Sequence, residues 1–231
     1  MNKGTLIILE GGDGSGKATQ ALLLDKRLRQ EGYPVKSISF PDYDSPSSAM
    51  IKMYLQGDFG KSAEAVNPYV ASTFYATDRF ASYQLKWKDF LESGGIVLAD
   101  RYTTSNMVHQ MVKYDEPEKR EKFLDWLWDF EFIKFELPIP QLVCLLDVPL
   151  AVSEALMADR LAKTGGQTGD IHENNRQYLA KCHNAYDELV AKYGWQHVAC
   201  TDGLIMKSPL EIHERIYELV QPLIASKQIR K

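Results

Sequence analysis

The chain has 231 residues, 45% of them hydrophobic and 25% charged, with a formal net charge of −4. That length and composition suit one α/β domain with a continuous core and exclude a disordered or fibrous chain. The acidic balance, without any strongly basic run, argues against a nucleic-acid polymer as partner, and no apolar run approaches the roughly eighteen residues that cross a membrane.

Three cysteines, Cys144, Cys182 and Cys200, show no metal spacing. With no secretion or targeting signal at the N-terminus, they predict a reduced, cytoplasmic protein. Along the chain, Thr5–Leu9 is an unbroken apolar run and reads as a buried strand. Directly after it comes Gly11-Gly12-Asp13-Gly14-Ser15-Gly16-Lys17, the pattern G-x-x-x-x-G-K, followed by Ala18 and Thr19. Glycines there let successive N–H groups curl around a polyphosphate, the following helix adds its positive end, and Lys17 supplies a mobile charge. A serine or threonine normally stands where Ala18 does and holds magnesium. The helix is predicted from Lys17 to Glu31, with Leu22, Leu24 and Leu28 among its apolar positions and Gly32 as its stop.

Further strand-like runs follow at Val35–Phe40, Ile96–Ala99, Leu142–Leu146 and His197–Cys200, separated by longer helical stretches. Most are unalternated, which predicts a doubly wound α/β fold: a parallel five-stranded sheet with helices on both faces and its ligand at the carboxyl strand ends. Asn67-Pro68 and Ser208-Pro209-Leu210-Glu211 read as helix starts, the second as a capping box. The aromatic stretch Glu121–Phe135 reads as a core or dimer-facing helix. Lys163–Gly169 is polar and glycine-rich, in keeping with a mobile lid over phosphates or with a plain surface loop.

Asp100-Arg101-Tyr102 emerges at the end of the Ile96–Ala99 strand, on the same sheet edge as the glycine loop. Asp100 there can hold a hydrated magnesium, and the planar fork of Arg101 matches phosphate oxygens. A structural Asp–Arg pair is the alternative.

Taken together, these segments resemble the thymidylate kinase family. Glu10–Gln20 (E-G-G-D-G-S-G-K-A-T-Q) resembles that family's phosphate loop, and Asp100–Gln110 (D-R-Y-T-T-S-N-M-V-H-Q) its second signature. Leu146-Asp147-Val148-Pro149 and Phe40-Pro41 resemble two further segments, all in the expected order. The resemblance implies phosphorylation of dTMP to dTDP with ATP and Mg2+, in a single domain with a mobile lid around residues 160–172, and a homodimer.

It also implies roles. Gly11–Thr19 would hold ATP, and Asp13 would meet the deoxyribose 3′-hydroxyl. Arg101 would clamp the acceptor phosphate near Phe40. Tyr75 would stack on thymine, although its residue context alone favours core packing, and Arg79 would bond the pyrimidine O4. Positions 75 and 79 share a helix face. Ser105, Asn106 and Gln110 would add polar contacts. Gly14 resembles the subgroup in which the lid supplies the catalytic cation, making Arg160 the first choice ahead of Lys163. Departures from the family are Ala18; Tyr43, where an arginine is common; His109, where a tyrosine that excludes a 2′-hydroxyl is common; and Asn175, where an acid is common. His172 is left without a role. Two other readings remain: a kinase for another deoxynucleoside monophosphate or a nucleoside, and a nucleotide-binding protein of reduced turnover.

Overall fold

In the computed structural model, five parallel strands lie in the order β2-β3-β1-β4-β5. They are β1 (Thr5–Glu10), β2 (Val35–Ser39), β3 (Ile96–Asp100), β4 (Leu142–Asp147) and β5 (Gln196–Ala199). The structure describes residues 4–164, 171–172 and 175–225, apart from the side chains of residues 160, 161, 163 and 164. The predicted strands stand where the apolar runs placed them, within one or two residues.

The reason is visible in β1, all of whose residues are buried. Leu6 and Ile8 join one core with Val97, Ala99, Val143 and Leu145. Ile7 and Leu9 face the other way, into a second core with Ile96, Leu98, Leu142 and Cys144. A strand covered on both faces has no polar side, hence no alternation.

The second core is closed by α1 (Lys17–Gln30) and α9 (Pro209–Ile224), and the first by α5 (Thr103–Met111), α6 (Pro117–Trp128) and α8 (Arg176–Tyr193). In α1 the buried side chains recur as Lys17, Gln20, Leu24 and Leu28. Leu22, an apolar position of the same helix, falls on the opposite side and is 69% exposed.

The other α-helices among the described residues are α2 (Ala49–Gln56), α3 (Pro68–Ser82), α4 (Lys88–Glu92) and α7 (Leu150–Thr164). Asn67 caps α3 by accepting the Tyr69 N–H at 2.9 Å, and Ser208 and Glu211 form the predicted capping box on α9. The aromatic helix differs from expectation: α6 ends at Trp128, and a π-helical turn carries the chain through Asp129–Lys134. Wider turns of this kind collect at functional sites, and this one swings Glu131 into the interior, fully buried. All three cysteines are free and buried, as their apolar setting requires. A short hairpin, β6 (Thr201–Asp202) with β7 (Ile205–Met206), leads into α9.

In register, Leu9 pairs with Asp100, and Ser39 pairs with the same residue from the other side. Glu10, Ser39, Asp100 and Asp147 therefore end their strands along one edge. The connection from β1 runs to one side of the sheet and that from β3 to the other, so the strand order reverses beside β1. Open α/β sheets bind ligands at such a point.

Candidate functional site

Two spaces open along that edge. The larger, of about 500 Å³, is lined by Asp13, Gly14, Ser15, Gly16, Lys17, Ala18 and Thr19, with Asp100 and Arg101 on the strand side. Its far wall is Leu156 of α7 together with Met206, Lys207, Pro209 and Ile212 at the hairpin and the start of α9. The second space, of about 250 Å³, is lined by Asp13, Phe40, Tyr43, Tyr75, Arg79, Arg101, Ser105, Asn106, His109 and His172, among others. The groove and the cavity share Asp13 and Arg101, together with Phe40, Pro41 and Tyr43.

The loop of the groove is shaped by glycine where nothing else fits. Gly14 has φ +79°, and a Cβ there would stand 2.7 Å from the Ser153 carbonyl of α7. Gly16 takes the left-handed conformation at the position before α1 (φ 90°), leaving the first amides of the helix turned into the groove. Lys17 Nζ donates to the carbonyls of Gly11 (2.9 Å) and Gly12 (2.8 Å). Burial, and next the charge of Arg101, lower Lys17 to about 8, which leaves it charged at neutral pH and ready to exchange two carbonyls for an anion.

Arg101 is built into place from several sides. Its backbone is left-handed (φ 68°), a conformation costly for any side chain, and its N–H donates to Leu9 O at 3.1 Å. Its guanidinium bonds Asp13 Oδ1 at 2.5 Å and Ser105 Oγ at 3.1 Å, and lies 3.7 Å from Glu10 Oε1. Burial alone would raise the Asp13 carboxyl, but Arg101, Lys17 and His109 together hold it well below its usual range. On Asp100 the same effect of burial prevails, and its carboxyl is raised despite the pull of Lys17 and Arg101.

Glu10 was not singled out from the sequence, yet it organises this edge. Its fully buried carboxylate accepts from Gly11 N–H (2.9 Å), Thr104 Oγ1 (2.6 Å), Ser105 Oγ (2.7 Å) and Tyr186 OH (3.3 Å). One side chain thus ties the glycine loop to α5 and α8. An acid ending an otherwise apolar strand was the available signal, because a carboxylate is buried only among donors.

At the cavity's other end, Arg79 Nε donates to Glu131 Oε2 at 2.7 Å, and its Nη2 bonds Glu131 Oε1. Thr103 Oγ1 (2.6 Å) and Asn106 Nδ2 (3.4 Å) donate to the same carboxylate. Tyr75 lines the cavity four residues before Arg79, on the face that their spacing implies. His109 stacks on His172 with ring centroids 5.4 Å apart. Burial, followed by Arg101, lowers His109 to about 4, and His172 is lowered well below its usual value mainly by burial. Both rings are neutral at pH 7. His172 is further held by Tyr54 OH at 3.0 Å.

Most of the residues singled out from the sequence therefore converge on these two spaces. Gly11 and Gly12 line neither, and nor does Gln110. Gln110 is fully buried one turn beyond Asn106, and its amide atoms have no hydrogen-bond partner among the described residues. Arg160 and Lys163 lie on the last turns of α7, but their side chains, like residues 165–170, fall outside the described residues.

The sheet order, the glycine loop between β1 and α1, and the paired ligand spaces define a P-loop α/β protein of the nucleoside monophosphate kinase fold. A sequence model of the thymidylate kinase family matches residues 9–208. The chain is 29% identical to the thymidylate kinase of Mycobacterium tuberculosis over 191 residues, 82% of this chain and 87% of that one. It is 29% identical to the thymidylate kinase of a Synechococcus species over 217 residues (94% and 95%) and 31% identical to a probable thymidylate kinase of Thermococcus onnurineus over 188 (79% and 86%). A solved thymidylate kinase from Candida albicans superposes with a TM-score of 0.70 at 23% identity, over 99% of this chain and 96% of that one, which speaks for the fold. The chain belongs to the thymidylate kinase family.

Proposed function

We infer that the chain transfers the γ-phosphoryl group of ATP to the 5′-phosphate of dTMP, giving dTDP and ADP. Family membership supports the reaction, and one observation carries the geometry: groove and cavity meet at Asp13 and Arg101. A donor polyphosphate in the groove and an acceptor in the cavity are then brought end to end, and in phosphoryl transfer positioning does most of the work.

Lys17 leaves the Gly11 and Gly12 carbonyls for the donor phosphates, where the loop amides and the start of α1 complete the cradle. The apolar side chains of Met206, Pro209 and Ile212 in the groove wall suit the purine ring. In the cavity Arg101, held by Asp13, Ser105 and Glu10, offers its remaining N–H groups to the acceptor phosphate. Asp13 receives the sugar 3′-hydroxyl, Tyr75 packs on the base, and Arg79 donates to the base O4. Arg160 is our choice for the cation that covers the transferring group, at the root of a lid over residues 160–172.

Magnesium fits this site in one manner only. Ala18 brings no hydroxyl, and the described residues contain no cluster of three or more acidic, histidine or cysteine side chains that could hold a metal. Asp100, in the same groove, supplies one carboxylate, which suffices for an ion carried largely by phosphate oxygens and water. When bound, the ion neutralises charge on the donor phosphates. A homodimer is proposed as well, and the partly exposed Val70 and Phe80 on α3 are apolar surface available to it.

The test is an ADP-release assay across dTMP, dUMP, dCMP and thymidine, with Lys17→Met beside the unaltered chain. The expected result is highest kcat/KM with dTMP, and a loss in kcat of roughly a hundred- to a thousandfold in the variant, the scale of one well-placed charged donor. Preference for thymidine, or tight binding of ATP and dTMP without ADP release, would refute the reading.

A further inference from the structure

Glu131 lies outside the cavity wall, on the π-helical turn after α6, and is fully buried. Four donors from two elements converge on its carboxylate: Arg79 Nε and Nη2 from α3, then Thr103 Oγ1 and Asn106 Nδ2 from α5. Two of those side chains, Arg79 and Asn106, do line the cavity. A carboxylate accepts and cannot donate. It therefore requires the amide of Asn106 to turn its nitrogen inward, which spends an N–H on Glu131 and leaves the amide oxygen to accept elsewhere.

That oxygen is not spent on its other neighbour. Ser72 Oγ lies 3.5 Å from Asn106 Oδ1, but its single hydrogen goes to Pro68 O at 2.7 Å. Arg79 has only donors. The end of the cavity accordingly shows one fixed donor and one fixed acceptor. A 4-oxo pyrimidine, with a carbonyl at C4 and an N–H at N3, matches that pair. A 4-amino pyrimidine presents an amine and a bare ring nitrogen, and mismatches both.

We propose that Glu131 is the residue that sets this polarity: a positioning carboxylate, out of reach of the substrate, that selects 4-oxo over 4-amino pyrimidine monophosphates by orienting Arg79 and Asn106. The inference rests on the reading of the cavity as the acceptor site. In Glu131→Gln the acceptor-only group becomes an amide able to donate, so Asn106 is free to turn over and Arg79 loses its charged partner.

The experiment compares kcat/KM for dTMP, dUMP and dCMP in the unaltered chain, Glu131→Gln and Glu131→Asp. The expected result is at least a tenfold fall in the ratio of dTMP to dCMP in Glu131→Gln, carried mostly by KM, with dUMP following dTMP. Glu131→Asp, which keeps the charge, recovers most of the ratio. An unchanged ratio in Glu131→Gln overturns the proposal, and so does an equal loss on all three acceptors in both variants, the mark of a merely structural role. If Glu131→Gln fails to fold, Thr103→Val removes one donor and keeps the carboxylate. A ratio lowered at least threefold there supports the proposal, and an unchanged one overturns it. Failure of the acceptor-site reading itself is seen separately, in the unaltered chain, as no preference among the three monophosphates.

Discussion

Arg101 and Glu10 show what single residues do here. Arg101 pays its left-handed backbone in exchange for a guanidinium aimed at Asp13 and Ser105. Glu10 holds that arrangement by charge from below. In Glu10→Gln the buried charge is lost while the shape is kept, and a hydrogen bond to a charged group is worth about 1.5–3 kcal/mol. The expected outcome is a fall in kcat/KM for dTMP of roughly ten- to a hundredfold by the same measure, read in steady-state kinetics beside a melting curve. Ala18→Ser restores a hydroxyl at the mouth of α1. It is expected to lower the magnesium concentration needed for half-maximal rate, and no change would mean that phosphate, water and Asp100 already hold the ion. Lys17, lowered to about 8, is charged below that pH and neutral above it. ATP binding is accordingly expected to weaken as pH rises beyond 8, which titration calorimetry without metal would detect.

At the scale of elements, the caps carry measurable stability. Ser208 accepts the Glu211 N–H at 3.2 Å while Glu211 accepts the Ser208 N–H at 2.8 Å, which satisfies two of the donors that a helix start leaves open. Ser208→Ala is expected to cost about 1 kcal/mol, or roughly 2–4 °C in melting temperature for a chain of this size. The same variant should leave kcat unchanged, because the cap lies at the surface. The turn after α6 is an element of another kind. The stretch Glu121–Phe135 is aromatic enough to read as a core or dimer-facing helix, and Phe132 is buried in it. Which of its charged residues turns inward depends on where the helix widens. Helical spacing alone did not reveal that.

Across the whole molecule, the two cores clamp the sheet and leave its carboxyl edge to polar groups. Among these, the stacked pair His109 and His172 is neutral in the fold, while in the unfolded chain both titrate near 6.5. The unfolded state binds more protons between about pH 6.5 and pH 4, so stability falls as pH falls through that window, by at most about 1.4 kcal/mol per pH unit for each histidine. Asp13, held low, adds its own loss only beneath it. The melting temperature is expected to drop from pH 7 to pH 5, and His109→Gln should flatten the slope. An equally steep slope in the variant would assign the effect elsewhere.

The sequence by itself determined the strands, the loop and the caps. Each rests on neighbours a few residues apart: apolar runs doubly buried, glycines where the backbone must turn, a serine three residues before a glutamate. It also placed Asp13, Lys17, Arg101, Tyr75 and Arg79, because a family signature records chemistry in local order. Tertiary structure alone decided what surrounds them. Glu10 with Tyr186, Arg79 with Glu131 and His109 with His172 are pairs separated by 176, 52 and 63 residues. Gln110 sits in the interior although it shares the signature, since the face of α5 is assigned by packing. A carboxylate's role depends on the donors that converge on it, and folding supplied those donors from other elements.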